Sequence, residues 1–459
     1  MPITYNPDTN TIVITGGTAS EPLTFEDIYN ADVANNWGVF TKVDEKTYKS
    51  TAKLQFGDGV TETYFEESGS TLIMDGVAQS NGDKLIVFKA LTHATFGEKV
   101  MNDGAETGQD GVLFVFREPT YNYARMSFEE GADVKFYGCV FKTEYPCNAV
   151  LLEYFSGVML GCYVELRMYN PRNATLKWLV LANRYGQINS PENCVMEHIR
   201  LITAYYVALI VRDTDLVFRN VECHGIERLA NVWYLSKPHV VKFVDCYTTN
   251  WEIHWNLPEG NESGELLWCY TIRFKLMDKD GNPLSGRTVR IYDKDGTLLA
   301  ELTTDENGLT GPCELVYRRL VNPYADGEWH VFYEEDWETF APYTIEVWHG
   351  NEQEWRGRLE DVGITEKPIT ITYWPPSETL DRLLSELEAH RAVEPDITLM
   401  RKIQTNRWKI ENNQLVIYDD DGVTPLKVFN LKDKYGNCLL YTSDAADEGL
   451  GVDLGGRRI

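Results

Sequence analysis

The chain has 459 residues, a formal net charge of −27 and 12% aromatic side chains, twelve of them Trp. Neutralising phosphate needs Lys and Arg in excess, so this balance excludes a general nucleic-acid binder and disfavours docking on an anionic bilayer. The length allows two to four domains, and no run approaches the roughly 18 apolar residues expected of a membrane insertion.

Residues 3–5 and 11–15 read as a hairpin around Asn6-Pro-Asp-Thr-Asn10, and residues 24–31 as a short amphipathic helix. Both suit an end cap. Less regular β-segments follow at 52–56, 71–74, 84–88 and 112–116, while the polar, Gly-rich residues 98–110 read as a projecting loop. The pattern then sharpens. Residues 133–141, 157–165, 216–223 and 240–247 are short apolar alternations interrupted by Gly, Asn or Asp, about 22 to 25 residues apart where they are adjacent. Aligned on that turn residue, Cys139, Cys162, Val221 and Cys246 share one rung position, and Ile199 fits a fifth rung after an insertion. A repeat of one strand group per period is how stacked solenoids are written in sequence.

This ladder resembles the right-handed parallel β-helix of pectate-lyase-like proteins and tail spikes, and the resemblance implies one inward apolar column over residues 1–257. Residues 258–264 read as a polar linker. Beyond it the strand signals are separated by Asp278-Lys-Asp-Gly281, Asp293-Lys-Asp-Gly296 and Asp305-Glu-Asn-Gly308, which are hairpin signals because Asn and Gly accept positive φ. Residues 266–277 read as one strand, and 330–333 and 343–348 supply later ones. The segment 265–374 resembles carboxypeptidase regulatory-like modules of transthyretin-like or Ig-like topology, which implies a β-sandwich.

Pro375-Pro376 ends that module. Ser377 caps a helix with the stripe Leu380, Leu383, Leu384 and Leu387, and Ile397, Met400 and Ile403 suggest a second helix within 377–404. Apolar stripes outside a domain call for a partner, so self-association is expected, with a homotrimer favoured. Residues 408–418 and 426–431 read as a terminal hairpin within 405–437, and this segment resembles a C-terminal module of phage and virus-like structural proteins. Residues 438–448 resemble a translated sequencing-library adapter, 449–451 an index, and 452–459 a flow-cell primer. The stretch 438–459 is therefore excluded from the fold, and the natural chain is expected to be truncated after about Asn437.

For chemistry, a glycan hydrolase needs two carboxylates facing across a sugar. The local candidates are Asp213, Asp215 and Glu222, with His224 nearby; Glu197 or Asp245 could approach from adjacent rungs. Turn residues and solvated faces explain the same side chains more simply. The Asp-x-Asp-Gly stretches lack the Glu that closes an EF-hand loop, so no cofactor is expected beyond adventitious calcium at a turn. Nine of the twelve Trp fall between 233 and 374. Indoles stack on sugar faces and anchor interfaces, which makes Trp233, Trp251, His254 and Trp255 the candidate ligand or assembly surface.

The fold class expected is all-β: a right-handed parallel β-helix, then an Ig-like or transthyretin-like sandwich, a short helix and a terminal hairpin. The expected function is that of a non-enzymatic virion component, such as a tail spike or fibre. It would be assembled in the host cytoplasm beside other virion proteins, for assembly or host-glycan recognition. The N-terminus lacks the basic and apolar regions of a secretory signal, which favours that reading over a secreted cell-surface adhesin. A polysaccharide-degrading β-helix enzyme is the third alternative.

Overall fold

The computed structural model describes residues 2–430, apart from 79, 81, 103, 118–123, 145–149, 183–187, 203–206, 213, 366, 376–383, 385–407, 412–413 and 419–422. Apart from Leu384, the expected helical segment therefore lies outside the described residues, as does the adapter-like stretch 438–459. The chain divides into two compact units: residues 1–269 with 318–339, and residues 270–317 with 340–459. Both are built almost entirely of strands.

In the first unit short strands stack in parallel and in register, an arrangement compatible with a β-helix. Side chains alternate across a strand, so in-register stacking places like faces above one another. In one sheet Ile12, Leu54, Ile86, Met126, Leu152, Met168, Ile188, Leu209, Ala230 and Ile253 form a continuous column. In the other, the column is Phe96, Phe136, Met159, Leu176, Met196, Phe218, Phe243 and Trp268. All of these side chains are buried. Each fully buried large apolar group contributes about 1.5–3 kcal/mol, so the columns supply the unit's cohesion.

The second sheet turns a corner at one residue per coil. Gly138, Gly161, Trp178, His198, Asn220 and Asp245 hold that bend with φ between 51° and 66°. Immediately after it Cys139, Cys162, Leu179, Ile199, Val221 and Cys246 stand in successive layers, all buried. The column expected from the sequence exists, and Leu179 is a rung it did not reveal. The thiols act as small core groups: Cys246 Sγ lies 3.4 Å from both the Phe218 and Val244 carbonyls, and Cys162 Sγ makes the same pair of contacts with Phe136 and Leu160. The seven described cysteines are free.

At the N-terminal end, the hairpin Ile3–Asn6 with Thr11–Ile14 and the helix Phe25–Asn35 occur as expected. Thr24 and Asp27 form a reciprocal capping box. Glu67 also accepts a 2.9 Å bond from the Phe25 N–H, one of the helix's orphan donors. Phe25 packs among Phe40, Tyr48, Phe65 and Phe96, and so closes the column.

Three expectations are corrected. Residues 98–110 are not a loop but the antiparallel pair Glu98–Asn102 and Ala105–Gln109. Gly108 permits close backbone approach, since a Cβ there would collide with Gly138 N. The stacking also runs past residue 257, because Glu265–Cys269 pairs in parallel with Val240–Val244; residues 258–264 make a turn inside the first unit, and 266–277 is two strands, Glu265–Ile272 and Phe274–Met277. Residues 330–333 do not join the second unit. Strand Trp329–Phe332 pairs antiparallel with Ile253–Asn256, which satisfies the backbone groups of the last parallel strand.

The second unit contains an antiparallel sheet in the order Leu298–Thr303, Thr288–Tyr292, Tyr343–His349, Glu352–Leu359, and a parallel pair Phe274–Met277 with Ile369–Thr372. Its core includes Phe274, Val289, Ile291, Tyr343, Val347 and Trp355. The three Asp turns share one bond scheme: Asp278 Oδ1 accepts from the N–H of Asp280 and Asn282, Asp293 from Asp295 and Thr297, and Asp305 from Asn307 and Leu309. Near the C-terminus the expected hairpin is instead three antiparallel strands, Trp408–Glu411, Gln414–Tyr418 and Pro425–Asn430, because Glu411 pairs with Gln414.

Candidate functional site

The last coils of the first unit gather aromatic side chains. Trp233, Asn256 and Trp329 are register partners on three adjoining strands. The two indoles meet edge to face at 4.6 Å, and Asn256 is buried. Beside them Tyr234 is 46% and Trp329 40% exposed, and Val331 and Tyr333 are exposed too. Tyr324 stacks on His330 at 4.3 Å, and Asp326 holds that imidazole at 2.9 Å. Exposed aromatic groups this dense are what interfaces and sugar sites use, because rings offer large contact area at low conformational cost.

Of the four sequence candidates, Trp233 belongs to this surface. Trp255 is corrected: it is 0% exposed, stands on Val232 and lies 6.3 Å from Phe332, so it is a core side chain. Trp251 packs against Trp268 at 4.4 Å and Trp337 at 5.5 Å with the Arg318 guanidinium over its ring, an arrangement that fills its faces with protein. His254 sits between Arg228 and Glu252. Guanidinium can only donate, so His254 Nδ1 accepts from Arg228 at 3.1 Å and Nε2–H donates to Glu252 at 2.7 Å. Tyr234, Tyr324, Trp329 and Tyr333 escaped the sequence reading, although the aromatic run 329–333 flanked by acids was a signal for Trp329 and Tyr333.

The catalytic candidates are separated by their partners. Asp213 lies outside the described residues. Asp215 is exposed, accepts from the Val240 N–H at 2.7 Å and approaches His239 at 3.6 Å, toward the following coil. Glu222 faces the preceding coil, bonded to Arg200 at 2.8 Å and to His224 at 3.1 Å. The His224 and Arg200 hydrogen bonds hold the Glu222 carboxyl below its ordinary value, so it stays ionised where a general acid would need its proton. Glu197 pairs with Lys177 at 2.7 Å and stands beside Arg219, and Asp245 serves at the bend. Among the described residues no group of three or more His, Cys, Asp or Glu is arranged to hold a metal ion.

No family model, no curated protein and no solved structure matches the chain.

Proposed function

We propose that this protein is a non-enzymatic structural component of a virion surface, a tail-spike or fibre-like part that works through assembly and recognition. In this reading the first unit is a right-handed parallel β-helix and the second an Ig-like or transthyretin-like module. The aromatic surface of Trp233, Tyr234, Trp329 and Tyr333 carries the argument, because exposed rings rimmed by charge suit contact with another protein or a host glycan. The engaged states of Asp215 and Glu222 favour this over the polysaccharide-degrading alternative.

Light scattering on the purified chain is the test. A trimer is expected, and Tyr333→Glu, at a half-exposed ring, should shift it toward monomer without lowering the melting temperature of the first unit. A wild-type chain that stays monomeric at micromolar concentration would overturn the assembly reading. Release of reducing sugar from a glycan panel, abolished by Glu222→Gln, would put an enzyme in its place.

A further inference from the structure

The bend column holds an anomaly. Glycine, Asn and Asp tolerate the left-handed backbone, and four of its six positions use them: Gly138, Gly161, Asn220 and Asp245. The two positions between them carry Trp178 and His198, with φ of 58° and 55°. His is among the residue types that reach this conformation, but a bulky indole in it is a rare outlier, and such strain tends to persist where a site needs a side chain placed. Register puts the two residues on adjacent rungs, since Lys177 pairs with Glu197 and Leu179 with Ile199. Their rings are stacked 3.8 Å apart with planes 2° from parallel.

Trp178 is 39% exposed although Leu179, the next residue along its strand, is core. His198 covers one face of the indole. On the other side the bend position belongs to Gly161, which brings no side chain. Strand Ala105–Gln109 rests against Gly138 and Gly161, where an added Cβ would meet Gln109 Cα at 2.9 Å and Thr107 Oγ1 at 2.8 Å respectively. The glycines thus seat a hairpin wall, and the aromatic pair starts where they end.

Polar groups frame the rings on both strands. Lys177 and Glu197 pair at 2.7 Å before the bend, and Arg200 and Glu222 at 2.8 Å after it. Each cation has its carboxylate, so the frame offers donors and acceptors without net charge. Burial pushes the His198 imidazole below its ordinary value, which keeps that ring uncharged at neutral pH as well.

We infer that Trp178, backed by His198, is a binding platform for the apolar face of a pyranose ring in a neutral oligosaccharide. A flat, exposed indole takes the C–H face of such a ring, and the paired side chains of Lys177, Glu197 and Arg200 meet its rim of hydroxyls. A polyanion is disfavoured by the chain's charge of −27. The site stands apart from the aromatic surface at the end of the ladder, and its ligand is a sugar whatever the oligomeric state.

The test is titration calorimetry of the full chain with maltohexaose, cellohexaose and chitohexaose, with polygalacturonate as the acidic counterpart. At least one neutral hexasaccharide should bind, and Trp178→Gly should weaken it by about tenfold or more. Glycine suits the backbone there, so the melting temperature should hold. Trp178→Tyr, which keeps a ring, should retain most of the affinity, and the Trp178 indole N–H resonance should shift on binding in the wild type. Three results would overturn the inference: no neutral hexasaccharide bound, equal binding by Trp178→Gly, or binding of polygalacturonate alone. Light scattering on the same samples separates the two readings. A monomer that binds sugar breaks only the assembly proposal, and a trimer that binds none breaks only this one.

Discussion

In the first unit an inward side chain has a counterpart directly above and below it, while the second unit adds to its apolar core an Arg287–Glu354–Tyr373 cluster whose carboxylate and phenol are buried. The ladder's cohesion is a sum of nearest-neighbour terms, in which Phe136 stacks on Phe96 at 5.2 Å and packs edge-on to Phe114, Phe128 and Phe141. In the second unit one arginine reaches across the sequence. Arg287 Nε lies 3.1 Å from Glu354, to which the Tyr373 hydroxyl donates at 2.7 Å and which His349 Nδ1 approaches at 3.6 Å. Burial, then the Glu354 carboxylate, pushes the Tyr373 phenol well above its ordinary value, so it remains a donor. The first design is expected to tolerate local damage, and the second to lose more when Glu354 loses Arg287.

The sharpest test of this contrast is Arg287→Ala against Phe136→Ala. Removing the guanidinium leaves the buried Glu354 carboxylate without its closest cation, a loss of about 3–5 kcal/mol. Phe136→Ala opens a cavity of similar cost, about 3–5 kcal/mol. Limited proteolysis across a urea titration should show Arg287→Ala releasing fragments from 270–317 and 340–375 first, and Phe136→Ala releasing them from the neighbouring coils. If Arg287→Ala loosened the ladder equally, the two units would not be energetically separate.

A smaller effect probes the bend. Gly161→Ala adds a Cβ 2.8 Å from Thr107 Oγ1 and 3.0 Å from Gly108 N at a φ of 66°, so strain and collision add, at about 1–3 kcal/mol. Hydrogen exchange should quicken in Ala105–Gln109 while the column from Met159 to Trp268 keeps its protection. Loss of protection throughout would mean that the bend, not the column, holds the coils together.

That same bend explains what the sequence disclosed. Repeats were visible where the turn residue was Gly, Asn or Asp, because those types advertise a left-handed backbone; Gly138, Gly161, Asn220 and Asp245 therefore marked Cys139, Cys162, Val221 and Cys246 as one column. The coil of Leu179 stayed hidden because Trp178 occupies its bend, and Trp178 and His198 were missed as a site for the same reason. The Asp turns of the second unit were legible since their bonds are local, made between Asp278 and Asn282 or Asp305 and Leu309. The return of Trp329–Phe332 to the first unit was not, because pairing with Ile253–Asn256 spans a whole intervening segment and leaves no local signal. Trp255 misled for a related reason: composition gives an indole's presence near a boundary but not the face of the strand it occupies.

The smallest expected effect concerns the ladder's capped end, where charge and burial compete over Glu67. Its carboxylate accepts from Phe25 N–H at a helix N-terminus, a place that favours negative charge by about 0.3–1 kcal/mol. Burial works the other way and dominates, raising the Glu67 carboxyl above its ordinary value. A folded-state value above the unfolded one means the group's favourable contribution is complete below the ordinary carboxylate range and is lost as pH rises through the raised value. Glu67→Gln keeps an acceptor for Phe25 without the charge, so it should stabilise the first unit at pH 7 by under about 1 kcal/mol. The gain should vanish as pH falls below the ordinary range, where Glu67 itself is protonated in both states. Paired urea titrations at neutral and acidic pH measure this. A variant less stable than wild type at pH 7 would show that the helix terminus, rather than burial, governs the cap.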